Sequence, residues 1–324
     1  MIADHDDRVI THTQARAHNP WPHRLALVTA ASTLMLIFVG GLVTNTGAGL
    51  AVPDWPTTFG YNMFLYPWSQ MVGGIFYEHS HRLIGSLVGL LTVALTLVLW
   101  LKEPGRSARR LGVVAVGVVI VQGILGGLRV ILVSAGSELA FIHGLLAQAF
   151  FALIVSVVVL TSAEWKYRAG MIATADGEAL PRLCLLTTGA LYLQIVFGGM
   201  LTHIGDWFSA HLLCAALTTV CVWRLAIRIL RHHSGQAQFA RPVTLLAGLS
   251  GLQLLLGLGS YVNRFTSLDI PFAVFTRLAL PTVHRITGAL MLAACIVLTL
   301  RAYRILTSWQ SVGSQGLLAE RVRA

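Results

Sequence analysis

Charge is what this sequence has least of. Of its 324 residues only 11% are Asp, Glu, Lys or Arg, against the roughly 25% of an ordinary soluble domain, while 56% are hydrophobic. So few charges cannot cover a water-facing surface of this size. A soluble globular protein is excluded, and most of the surface must face lipid. Cysteine is scarce too. Cys184, Cys214, Cys221 and Cys295 all fall in apolar runs and read as small buried apolar residues, and no CxxC or CxxCH occurs. That excludes thiolate metal sites and covalent c-type heme attachment. The first 24 residues are polar, with three Asp and four His. They lack the charged start, short apolar core and small-residue cleavage site of a removable signal peptide, so the first apolar run is expected to remain.

Long apolar runs are what the chain has instead. Eight of them reach the roughly 20 residues needed to cross about 30 Å of hydrocarbon: about 25–44, 82–101, 111–131, 139–162, 183–203, 209–230, 242–262 and 282–303. The formal charge of +10 invites a nucleic-acid reading, which topology removes. With the N-terminus placed inside, 18 of the 23 Lys and Arg fall on the inner side. Only Arg82, Arg129, Arg264, Arg277 and Arg285 are left outside. This is the bias that orients helices during insertion. The expected fold class is all-α integral membrane, with both termini cytoplasmic.

The chain also reads as one unit written twice. Span 1 ends in GGLVTNTG (40–47) and span 5 in GGMLTHIG (198–205); span 3 contains VQGILGGLR (121–129) and span 7 LQLLLGLGS (252–260), which align Gln122 with Gln253. Spans 2, 4, 6 and 8 open with His81, His143, His211 and His284. Two pseudo-symmetric four-helix bundles in parallel orientation follow. The expected boundaries are a cytoplasmic segment 1–24, an N-terminal half 25–165, a linker 166–182, a C-terminal half 183–304 and a cytoplasmic tail 305–324. Glycines in the spans suit close helix approach and equally leave room for a flat ligand. The first outer loop, about 45–80, is long and aromatic, whereas its counterpart at 204–208 is a short turn. Its aromatics suit either a membrane-interface belt or a lid over a site in the first half.

A lone intramembrane histidine can simply hydrogen-bond a neighbour, although such groups are functional candidates by default. Four at matching positions point further. Two histidines on neighbouring helices can ligate a porphyrin iron from opposite faces, and the natural pairs are His81 with His143 and His211 with His284. Zinc is disfavoured because no Cys, Asp or Glu set completes a tetrahedral site. Porphyrin propionates need cationic partners, for which Arg82, Arg129, Arg264 and Arg285 are placed; interfacial snorkelling is the ordinary alternative. Glu78 lies three residues before His81 on the same helix face, while Phe208 and Pro281 hold that position before His211 and His284. It is therefore the candidate for proton transfer, the alternative being an ion pair with Arg82. His79 is expected to turn away from the iron.

The run TGAGLAVPDWP, with EHSHRLIG, FIHG, FSAH and VHRITG, resembles the heme A synthase family over nearly the whole chain. The resemblance implies an oxidoreductase of the bacterial inner membrane that converts the C8 methyl of heme O to the formyl of heme A through a hydroxymethyl stage, in support of cytochrome c oxidase assembly. It implies His81 and His143 as ligands of the substrate heme, Glu78 as the catalytic acid, and His211 and His284 as ligands of a resident heme b. Heme O synthase and terminal-oxidase assembly factors are the implied partners, with a homo-oligomer left open. One departure stands out: the cysteine pair of many bacterial members is absent, the stretch after PDWP reading TTFG. Two other classes compete. A di-heme, b-type, quinol-linked carrier would need two equivalent sites, and a transporter would need polar or broken helices at the midplane.

Overall fold

The computed structural model describes residues 19–167, 179–266, 268 and 273–323, and their side chains except those of Tyr167, Arg264, Ala273 and 305–323. Among these residues all regular structure is helical apart from one isolated bridge between Thr58 and Tyr61. Eight helices are long and apolar enough to span a membrane. They are α1 (Trp21–Asn45), α2 (Gly73–Lys102), α3 (Arg106–Ile131), α4 (Gly136–Thr161), α6 (Ala179–His203), α7 (Phe208–His232), α8 (Ala237–Phe265) and α9 (Ala273–Arg323), with a short α5 (Ala163–Tyr167) between the fourth and fifth. Helices are what lipid demands, since every backbone polar group must be satisfied within the segment. Leucines such as Leu90, Leu213 and Leu255 lie fully on the outside of the bundle, where hydrocarbon solvates them.

Packing divides the helices into two rings. Helix α1 packs on α2 and α4, and α3 on α2 and α4; likewise α6 packs on α7 and α9, and α8 on α7 and α9. Each ring has its own apolar core, one around Val88, Leu95, Leu99 and Ile154, the other around Leu225, Ile229, Leu246, Leu292 and Leu298. A third cluster, Ile37, Phe151, Val155 and Ala289, joins them. The junction uses α1 on α9, α4 on α9 and α4 on α6, a pattern that exchanging the two rings leaves unchanged.

The repeat extends to backbone detail. Thr44 Oγ1 donates to the Gly40 carbonyl at 3.0 Å and Thr202 Oγ1 to that of Gly198 at 2.8 Å. Both helices then stop on a left-handed glycine, Gly47 at φ +69° and Gly205 at φ +84°, a conformation that only glycine adopts without cost. Several boundaries differ from the sequence reading, most of all those of α2 and of α9, which starts at Ala273, nine residues before the expected 282. Helix α2 begins at Gly73, nine residues before the expected 82, because the polar Glu78, His79 and Arg82 find partners in the folded loop before them. Helix α9 continues through the expected tail to Arg323. The segments 1–18 and 168–178 lie outside the described residues.

At the end of the bundle opposite the long loop, α5 bridges the two rings. Lys166 pairs with Glu103 after α2 at 2.7 Å, Glu164 with Arg301 of α9 at 2.5 Å, and Arg304 of α9 stacks over Trp165. At the loop end the junction is tight: a Cβ on Gly41 would stand 3.1 Å from Thr282 Cγ2. Gly41→Leu is therefore expected to prise α1 from α9 and cost about 1–3 kcal/mol of stability. Thermal unfolding in detergent would read this as a lowered midpoint, and an unchanged midpoint would contradict the packing described.

Candidate functional site

Each of the four histidines meets a glycine on the preceding spanning helix. A Cβ on Gly40 would stand 3.1 Å from Cε1 of His81, one on Gly126 3.5 Å from His143, one on Gly198 3.3 Å from His211, and one on Gly257 3.2 Å from His284. In every case Cε1 is the nearest ring atom and Nδ1 the next, so that edge is the one laid against the glycine. Nδ1 of His81, His143 and His284 is buried with no hydrogen bond. A Cβ at Gly40, Gly198 or Gly257 would crowd the imidazole by a few tenths of an ångström, whereas one at Gly126 would reach ordinary contact with His143.

Within the first ring, His81 and His143 face each other, ring centres 6.3 Å apart and planes at 75°. Imidazoles bound to one metal ion from opposite sides, at about 2 Å per bond, have ring centres about 6 Å apart. The spacing suits an iron between them. In the second ring His211 and His284 lie within electrostatic reach of each other. Here glutamine amides occupy the rings: Gln194 Nε2 lies 3.1 Å from His211 Nδ1 and 3.3 Å from its Nε2, and Gln253 Nε2 lies 3.2 Å from His284 Nε2. In the first ring Gln122 instead bonds the His143 backbone carbonyl at 3.1 Å, and Leu36 takes the position four before Gly40. The Oε1 atoms of Gln122, Gln194 and Gln253 are all buried and unpartnered. Orphaned polar atoms beside paired imidazoles call for an explanation, and the residues present fit a tetrapyrrole iron in each ring. Among the described residues no cluster of three or more His, Cys, Asp or Glu could hold a metal ion by protein ligands alone.

Glu78 is buried, with both oxygens engaged: Arg82 donates to Oε1 at 2.8 Å and the Val52 backbone N–H to Oε2 at 2.9 Å. Arg82 then donates to the carbonyls of Asp54 (2.7 Å), Thr57 (3.0 Å) and Val52 (3.0 Å). His79 turns into the loop, with Thr58 Oγ1 3.1 Å from its Nδ1 and the Tyr66 ring 5.1 Å away. Three side chains of α2 thus pin the loop without a disulfide. Asp54 closes it from within, accepting from Thr57 Oγ1, Phe59 N–H and Gly60 N–H. Burial pushes the Asp54 carboxyl up, but these bonds together outweigh it and hold it below the usual carboxylate range. The loop covers the end of the first ring: the Trp55 indole lies on Gly127 of α3, and Gly49 lies against the Arg129 guanidinium.

The arginines therefore divide. Arg82 is committed to the loop. Arg129 and Arg285 have no carboxylate partner among the described residues. The Arg264 side chain lies outside the described residues. The glutamine and glycine register that places Gln122 with Gln253 and Gly126 with Gly257 sets Ser260 against Arg129, with Arg264 one turn further. Sequence reading missed Gln194 and His203. The first could have been found from the spacing Q-x-x-x-G, present at 122–126, 194–198 and 253–257.

Loop anchoring is directly testable. Arg82→Met is expected to raise protease cleavage within 52–66 about tenfold through local opening; cleavage at the unmodified rate would contradict the anchor. Because the Asp54 carboxyl is depressed in the folded loop, its contribution is present above the ordinary value of 3.8 and is lost as pH falls through the folded value. Cleavage by an acid-active protease should rise over that acid window, and Asp54→Asn should flatten the rise.

Similarity to known proteins agrees with this arrangement. Heme A synthase of Shouchella clausii is 27% identical over 200 residues, 61% of each chain. That of Brucella anthropi is 31% identical over 146 residues, 43% of this chain and 39% of the relative. That of Geobacillus kaustophilus is 23% identical over 258 residues, 70% of this chain and 77% of the relative. The chain thus spans about three-fifths of the length of the first of these relatives. The family model described as cytochrome oxidase assembly protein (COX15-CtaA) matches residues 23–211, more than half of the sequence, and the chain belongs to that family.

Proposed function

We propose that this protein is a heme A synthase, a membrane oxidoreductase that oxidises the C8 methyl of heme O to the formyl group of heme A. The observation that carries the reading is the difference between the two rings. Among the described residues, only the first holds a histidine pair beneath an anchored loop, with a carboxylate one turn from a ligand. A carrier with two equivalent hemes would need neither. The names of the relatives support the same reaction.

In this reading His81 and His143 take the substrate heme O, and His211 and His284 hold a resident heme b. Iron in the second ring would supply one-electron redox chemistry. The chain's own residues do the rest. The loop over the first ring excludes bulk water, and Arg82 fixes the Glu78 carboxylate. An ionised carboxylate offers about four lone-pair sites; two are used, so Glu78 can still accept a proton released at the substrate edge. Arg129 and Arg285, with Arg264, are the candidates for porphyrin carboxylates. The protein would lie in the bacterial inner membrane with both termini cytoplasmic, receiving heme O from heme O synthase and passing heme A to terminal-oxidase assembly factors.

Glu78→Gln keeps the size of the side chain and removes the proton-accepting charge. Heme A formation is expected to fall about 100-fold or more while bound heme persists; loop cleavage, measured alongside, reports the one anchoring bond that the amide NH2 cannot accept. Formation at the wild-type rate would remove Glu78 from the chemistry. His284→Ala should lower the bound tetrapyrrole from two to one per chain in a pyridine hemochrome assay. Retention of both would contradict the assigned pairing.

A further inference from the structure

Three basic side chains with no carboxylate partner among the described residues lie toward the place where the two rings meet. Arg285 directly follows His284 on α9, yet its guanidinium crosses to the other ring. Its Nη1 stands 3.4 Å from Thr44 Oγ1 of α1 and would be 3.8 Å from a Cβ on Gly41. His203, the last residue of α6, makes the reciprocal crossing. A Cβ on Gly144, the residue after His143, would lie 3.9 Å from its Nε2. Arg129, at the end of α3, lies within electrostatic reach of His203, as do Arg285 and His143.

No carboxylate among the described residues pairs with this group. Glu78, the acid within reach of Arg129, is bonded to Arg82 and the loop backbone. The other two ion pairs of the described residues, Glu103–Lys166 and Glu164–Arg301, sit at the opposite end of the bundle. Unpaired guanidinium groups away from bulk water are costly, and a guanidinium fork matches a carboxylate better than any other anion-binding side chain. The repeat also breaks here. The counterpart of His203 is Asn45, whose amide donates to Thr282 Oγ1 at 2.8 Å and so stays within the junction. His203 has no such bond and keeps a ring N–H to give.

We infer that Arg129, His203 and Arg285 form one carboxylate-binding site astride the junction, which takes the acidic edge of the tetrapyrrole in the first ring as well as that in the second. The site rests on the heme reading above. Two of its three groups come from the second ring and serve the first. The substrate is thus gripped partly by residues of the half that holds the resident cofactor, and the acidic edges of the two porphyrins are brought together. Occupancy of one ring then changes the affinity of the other.

The test uses full-length apoprotein titrated in detergent with iron protoporphyrin IX and with its dimethyl ester, which has no free carboxylate. Wild-type protein is expected to bind the free acid at least about tenfold more tightly than the ester, a difference of about 1.4 kcal/mol. Arg285→Gln and His203→Asn should weaken the acid severalfold and leave the ester unchanged. The cross-ring claim is read in a His284→Ala background, where only the His81 and His143 pair is complete; both substitutions should still weaken the acid there. Equal binding of acid and ester by the wild type overturns the site. So does equal weakening of both ligands by the variants, or loss of their effect in the His284→Ala background. A wild type that binds neither porphyrin sinks the heme reading itself, and this site with it.

Discussion

The arrangement depends on one contact made four times: an imidazole edge laid against a glycine of the neighbouring helix. Inside a bilayer no water compensates a polar ring, so its position must be set by the protein. Removing one Cβ lets the ring approach to 3.1–3.5 Å of where that atom would be, at three of the four sites closer than most Cβ contacts. The ring is then held with one edge against backbone and the other toward the interior of its four-helix ring. Helix packing, the glutamine positions and the placement of the basic residues all follow from that register.

On this shared scaffold the two halves have been equipped differently. In the second, glutamine amides meet the nitrogens of both imidazoles. In the first, Leu36 and the redirected Gln122 leave the rings without such bonds, and the long loop is stapled over them. The staple consists of Glu78, His79 and Arg82 near the start of α2, meeting the backbone of Val52, Asp54 and Thr57 and the hydroxyl of Thr58. It answers how a loop lacking the cysteine pair is held: a buried ion pair and five hydrogen bonds do work that a covalent link could do. The same contacts make Glu78 both an anchor and the candidate proton acceptor, so loop position and chemistry are coupled in one residue.

Much of this was legible in the sequence. The eight spans, the doubling and the four histidines were visible because apolar runs and repeated motifs are local signals. His81 was read as the start of its helix, whereas two further turns precede it. Glu78 lies on the helix face expected of it, but the loop groups that bond it and His79, the Val52 N–H and the Thr58 hydroxyl, leave no local signal. The binding of Arg82 to three carbonyls was equally hidden, since backbone acceptors leave no trace in composition. Gln194 and His203 escaped for a different reason. Each acts across a helix pair, and only the register between helices shows that Gln194 reaches His211 or that His203 crosses to Gly144. The bridge formed by α5 joins residues 63 and 137 positions apart, beyond any local pattern.

The central claim is that the two rings hold chemically different tetrapyrroles, one resident and one in passage. Mass spectrometry of the porphyrins extracted from purified protein, with their stoichiometry per chain, tests it most directly. The account predicts heme b at about one per chain, accompanied by heme O, its hydroxylated form or heme A. Heme b alone at two per chain would contradict it and identify an electron carrier.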